Sequence, residues 1–206
     1  TTLKEKIEEL AKKYSDNLDN KVKERVREMQ DDDKSHYLIY RVLGISFEEG
    51  ENIDLYQNKG RFLYKYAGSF LEEAAVLCFI EKFGKENAKK VKVPNSEGTR
   101  PKTFEIDCLI EDKNAYEIKW RDATTDGDHI TKEHTRIRVI HSKGYTPIRL
   151  MFYYPNRDQA IKIQQTLETL YKGIGGQYYY GEYAWKHLKD VTGIDFASAS
   201  QSAGIT

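Results

Sequence analysis

The chain has 206 residues, enough for one compact domain, or one with a small appendage, around a substantial core. Its 33 Lys and Arg balance 33 Asp and Glu, and a formal net charge of zero argues against indiscriminate coating of polyanions while leaving room for a local basic cleft. With two cysteines, both in apolar runs, five scattered histidines, no signal peptide and no bilayer-length apolar stretch, the expectation is a cytoplasmic protein with buried free thiols at Cys78 and Cys108, no zinc site and no membrane contact.

Apolar residues at Leu3, Ile7, Leu10, Tyr14, Leu18, Val22, Val26 and Met29 recur at three- and four-residue spacing. That spacing predicts a long amphipathic helix over residues 3–29, with Ser15-Asp16-Asn17 as a candidate break. Its Lys and Glu read as a solvated face, and Asp31-Asp32-Asp33 as a turn or cap. A shorter helix is expected over residues 35–43, then a loop through Glu49-Gly50-Glu51. Helical spacing returns over residues 61–83, where Leu63, Ala67, Phe70, Leu71, Ala74, Leu77 and Cys78 share a broad face and Glu72 and Glu73 interrupt it.

Residues 104–120 read as two short apolar strands joined by a polar turn. Successive strand side chains point to opposite faces, so Glu117 and Lys119 share one face, and Asp107 on the first strand comes beside them. Ile106, Leu109, Ile110, Ala115, Tyr116, Ile118 and Trp120 suit a hairpin inside a sheet better than one at its rim. Charges in such a hairpin need a reason. Two carboxylates beside an ammonium suit a hard divalent cation and a water next to a phosphate. Asp107 and Glu117 would be the ligands of Mg²⁺, the Ile118 carbonyl a third, and Lys119 the group that orients the water. An edge hairpin with three solvated charges has the same spacing and is the competing reading.

This Asp-x9-Glu-x-Lys arrangement resembles the core of the PD-(D/E)XK nucleases, and residues 60–196 resemble a type II restriction endonuclease, with an ApaLI-like subfamily suggested. The Pro that usually precedes the Asp is Ile106 here. The resemblance implies an α/β fold, a restriction-endonuclease-like mixed central sheet flanked by helices with an extra N-terminal helical segment. It would be one domain over residues 1–206, with residues 1–58 as the helical segment and 59–196 as the catalytic core. It implies Asp107, Glu117 and Lys119 as catalytic residues and Asp107, Glu117, Ile118 and Glu72 as the Mg²⁺ site. Gly68-x-x-x-Glu72 matches the family pattern, although Glu73 lies nearer the edge of the apolar face. The implied activity is Mg²⁺-dependent cleavage of double-stranded DNA at a short palindrome, leaving a 5′-phosphate, by a homodimer with a cognate DNA methyltransferase in the same cell. The alternatives are a branched-DNA or repair nuclease of the same fold, and a DNA-binding module that has lost catalysis.

After Trp120, Asp126-Gly127-Asp128 reads as a turn into a helix with Ile130, His134, Ile137 and Ile140 on one face and Lys132, Arg136 and Lys143 elsewhere. Beside the catalytic strand, Arg121, Thr124, Thr125, Asp126, His129 and Lys132 are the candidates for contact with bases and phosphates, against the plainer reading of a capped surface helix. His134 reads as a core histidine. Residues 147–153 predict a buried strand next to the hairpin. Asn156 is expected to cap the following helix, with Gln159 completing a capping box. Gly173-Ile174-Gly175-Gly176 follows a helix, so it reads as a stop and not a phosphate loop. Tyr178-Tyr179-Tyr180 reads either as packing or as aromatics that stack on DNA. A last helix over residues 181–192 is expected to stop at Gly193, with a frayed tail after Phe196. The order, α then αβββαβαα, makes a mixed α/β sandwich.

Overall fold

The computed structural model describes residues 1–121 and 127–204. In chain order the elements are α1 (Leu3–Asp31), α2 (His36–Val42), α3 (Phe47–Phe83), β1 (Ala88–Pro94), β2 (Thr103–Ile110), β3 (Asn114–Lys119), α4 (Gly127–Ser142), β4 (Thr146–Met151), α5 (Asp158–Gly173), β5 (Gln177–Tyr180), α6 (Glu182–Thr192) and α7 (Phe196–Gly204). They divide between two units, one of Thr1–Glu8 with Leu71–Thr206 and the other of Glu9–Phe70. No described helix is long and apolar enough to cross a membrane.

The first unit is built on one mixed sheet in the order β1-β2-β3-β4-β5. The pairs β1–β2 and β2–β3 are antiparallel, while β3–β4 and β4–β5 are parallel. Parallel neighbours need crossovers, which α4 and α5 supply. The hairpin expected from the sequence is therefore central, and β4 lies beside it. Its turn uses Glu111 and Asp112 at φ 52° and 53°.

Alternation along β3 sorts the two faces. Ala115 joins Val93, Phe104, Ile106 and Leu109 against Val139 and Ile140 of α4. Tyr116 points the other way, its ring 4.6 Å from Phe79 of α3 and its hydroxyl 2.9 Å from Nε2 of His187 on α6. A second cluster packs Met151 and Tyr178 against Ile137 of α4 and Ile163, Leu167 and Tyr171 of α5. The sheet is thus covered by helices on both faces, as the fold expectation has it.

Several local expectations are corrected in this unit. Tyr178-Tyr179-Tyr180 belongs to β5, which pairs with β4 from Ile148↔Gln177 to Met151↔Tyr180. At Gly176 a Cβ would stand 2.4 Å from the Pro147 carbonyl oxygen, so only glycine admits this approach. The cap position of α5 is Arg157, in extended conformation and making no side-chain cap hydrogen bond, one residue after the expected Asn156. The tail after Phe196 is helical: Phe196 is buried against Trp185 and Phe152 at ring separations of 5.4 and 6.1 Å, and that anchor holds α7.

The second unit holds residues 9–31 of α1, all of α2 and residues 47–70 of α3. The α1 helix runs without the break allowed for at Ser15-Asp16-Asn17, and Tyr14 meets Tyr66 of α3 at 6.0 Å. The loop expected through Glu49-Gly50-Glu51 is instead the opening of α3. Gly50 is there for contact: a Cβ would lie 2.7 Å from Tyr40 Cδ2 and 3.0 Å from Tyr37 Cδ1. The tyrosines of α2 thus pack directly onto helix backbone, and glycine serves packing, not a turn.

Candidate active site

The strands β2 and β3 pair from Ile110↔Asn114 to Cys108↔Tyr116, and one residue later a side chain takes over from the ladder. Asp107 Oδ2 accepts the backbone N–H of Ile118 at 2.8 Å. Asp107 and Glu117 are both buried, and Lys119 Nζ lies 3.4 Å from Glu117 Oε1. The three residues expected to form the catalytic set are therefore together at the strand ends. Of the fourth, Ile118, the structure brings the backbone amide onto Asp107.

Buried carboxylates need partners, and α4 provides one that the sequence reading left out. Arg136, expected away from the apolar face, is buried. Its Nη2 lies 2.7 Å from Glu117 Oε2 and donates to the Glu105 carbonyl at 2.9 Å, and its Nη1 donates to Glu133 Oε1 at 3.1 Å. Glu133 also accepts the Tyr171 hydroxyl at 2.6 Å and pairs with Nη1 of Arg149 at 3.6 Å. Arg149 faces Glu117 across the β3–β4 register. In sequence Glu133 and Arg136 look like an ordinary i, i+3 surface pair. Only the packing of α4 on the sheet takes them inside.

Electrostatics separates the carboxylates. Burial first, then the neighbouring charges of Glu117 and Glu72, pushes the Asp107 carboxyl up to about 8, against the pull of the Ile118 N–H and Arg136. Burial also opposes charge on Glu133, but Arg136, Arg149 and the Tyr171 hydroxyl outweigh it and hold that carboxyl below its usual range. In the absence of a cation, the Asp107 carboxyl is held toward its protonated form near neutrality.

A second acidic grouping meets the first at Asp107. One carboxylate oxygen from each of Glu72 on α3, Glu105 and Asp107 lies within 4.8 Å of the others. Lys90 of β1 bridges its open side, 3.5 Å from Glu72 and 3.3 Å from Glu105. An all-oxygen donor set of this kind fits a hard divalent cation. Glu117 is not in this group, being engaged by Arg136 and Lys119. Glu105 was missed in the sequence reading, although its i, i+2 relation to Asp107 on one strand places both on one face.

The residues expected to meet DNA are more dispersed. Arg121 is exposed just beyond β3, its guanidinium 5.5 Å from the centre of the Trp120 ring. Both line a cleft of about 640 Å³ with Tyr153, Tyr154, Asn156 and Arg157. His129 is half-buried and Lys132 exposed on α4. Thr124, Thr125 and Asp126 lie outside the described residues. His134 is half-buried, without the full burial of its neighbours Ile137 and Ile140.

The family model for ApaLI-like restriction endonucleases matches residues 1–202. No curated protein and no solved structure matches the chain.

Proposed function

This chain belongs to the ApaLI-like restriction endonuclease family, and we propose that it is a type II enzyme that hydrolyses phosphodiester bonds of double-stranded DNA at a short palindromic sequence with Mg²⁺ as cofactor. The observation that carries this reading is the convergence of Asp107, Glu117 and Lys119 at the end of the central hairpin, with Glu72 and Glu105 beside Asp107.

Asp107, Glu117, Glu72 and the Ile118 carbonyl are the groups that would hold Mg²⁺, and Glu105 joins them by its place beside Asp107 and Glu72. When bound, Mg²⁺ lowers the pKa of a coordinated water and offsets the charge of the phosphate. Lys119, only partly covered, orients the attacking water and steadies the charge it develops. Arg136, 2.7 Å from Glu117 Oε2, fixes where that carboxylate lies. Arg121, Thr124, Thr125, Asp126, His129 and Lys132 approach the bases and phosphates beside the cut. Symmetric cleavage of a palindrome calls for two such sites about a twofold axis, hence a homodimer. The host's own DNA would be protected by a cognate methyltransferase.

The test is direct. Purified protein is incubated with phage DNA in Mg²⁺ and, separately, in EDTA, and the products are resolved on a gel. Discrete bands only with Mg²⁺ are expected, and mapping their ends yields the site. A smear would replace site-specific cleavage with a nonspecific or repair activity. Intact DNA under both conditions would remove the nuclease reading in favour of branched substrates or a binding module.

A further inference from the structure

The second unit has little core of its own. Within residues 9–70 only Tyr37, Gly50 and Phe62 are buried, although a domain of such length must remove much of its surface from water to be stable. The α2 helix turns Tyr37 and Tyr40 onto α3 at Gly50. Helical spacing then carries Leu38, Ile39, Val42 and Leu43 to the opposite side, where they are 62%, 61%, 80% and 74% exposed. The helix is amphipathic, but its aliphatic face looks outward.

We infer that this aliphatic face of α2 is an interface with a second copy of the chain, meeting the same face of that copy. Its four side chains expose on the order of 500 Å² of apolar surface, near the top of what a monomer leaves as one patch. Two copies of the α2 stripe alone, set face to face, would cover about 1,000 Å² in all, the least that a specific interface buries.

Charge decides against nucleic acid as the occupant. Residues 9–70 contain eleven Lys and Arg against twelve Asp and Glu, and the outward stripe of α2 contains none of either. An uncharged aliphatic stripe is complementary to itself, which an isologous contact requires. The choice of a second copy rests on the twofold reading given above; the location of the surface does not.

Sedimentation velocity of the full chain without DNA, from roughly 1 to 100 µM, tests the surface. The unmodified protein is expected to dimerise, and the double variant Val42→Glu with Leu43→Glu to weaken that dimer at least about tenfold, or ~1.4 kcal/mol. Tyr183→Glu, an exposed change on α6, should leave it unaltered. Mixing Val42→Glu with Val42→Lys chains should restore a mixed dimer, which a misfolded variant could not do. An unaltered dimer in the double variant, or no recovery on mixing, would overturn this surface and leave the twofold reading standing. A monomer throughout for the unmodified chain would remove both. DNA cleavage by the same samples reports on the nuclease reading separately.

Discussion

Asp107 and Ile118 are joined by a hydrogen bond that stands where the hairpin ladder stops, the buried carboxylate accepting the Ile118 N–H at 2.8 Å. This bond gives Asp107 a structural task that can be separated from its proposed chemical one. In Asp107→Asn the amide oxygen can still accept the Ile118 N–H, and the side chain is neutral at every pH, as the raised Asp107 carboxyl is only below about 8. That variant is expected to melt at or above the temperature of the unmodified protein, while cleavage falls on the order of a thousandfold. Thermal melting and plasmid nicking on one preparation check both halves. Cleavage at the normal rate by Asp107→Asn would end the ligand assignment.

The same residue sets a pH dependence. Its carboxyl is raised from 3.8 to about 8, so between those values the folded protein holds more protons than the unfolded chain. Without metal, stability should therefore fall as pH rises from about 4 to about 8, then level off. A divalent cation has to displace that proton, so Mg²⁺ affinity should rise about tenfold per pH unit below 8 and flatten above it. Calorimetric titrations at about pH 6, 7 and 8 measure the slope. An affinity independent of pH would show that the cation does not compete for the Asp107 proton.

Arg136 is expected to matter for folding before it matters for cutting. Its guanidinium is shared among the buried carboxylates of Glu117 and Glu133 and the Glu105 carbonyl. Arg136→Met would take from two buried carboxylates their nearest counter-charge, leaving the longer pairs with Lys119 and Arg149, a loss of about 3–5 kcal/mol. Urea denaturation gives the number. Adding Glu133→Gln to the Met variant should return part of the loss, because the orphaned charge is then gone. A Met variant as stable as the parent would show that Lys119 and Arg149 suffice to balance the site.

The hairpin was legible because its signal is local. Ile106, Ala115, Tyr116 and Ile118 mark buried strands, and the Glu117–Lys119 interval puts both charges on one face. The mixed sheet followed from the order of strands and helices. Less was legible where long-range packing decides. Arg136 and Glu133 have the spacing of a solvated helix pair, and only the seating of α4 on the sheet buries them. Three consecutive tyrosines show no period of two, so β5 had no pattern of its own; it exists because α5 returns the chain alongside β4. Gly50 reads as a turn residue until the rings of Tyr37 and Tyr40 are laid against it.

Lys119 separates chemistry from stability most cleanly. Its side chain remains 41% exposed, and its ion pair with Glu117 at 3.4 Å opens to solvent. Pairs of this kind contribute at most about 1 kcal/mol to folding. Lys119→Ala should therefore unfold within about 1 kcal/mol of the parent, yet cut some hundred- to thousandfold more slowly, on the order of what a positioned proton-handling group supplies. Lys119→Arg is the sharper probe. It keeps the positive charge beside Glu117, but a guanidinium cannot give up its proton and is too broad for an ammonium's place. If the lysine only balances charge, the Arg variant cuts normally. If it orients water and tunes its proton, the Arg variant is nearly as slow as Ala while still binding DNA in EDTA, and single-turnover cleavage next to a gel-shift titration tells the two apart.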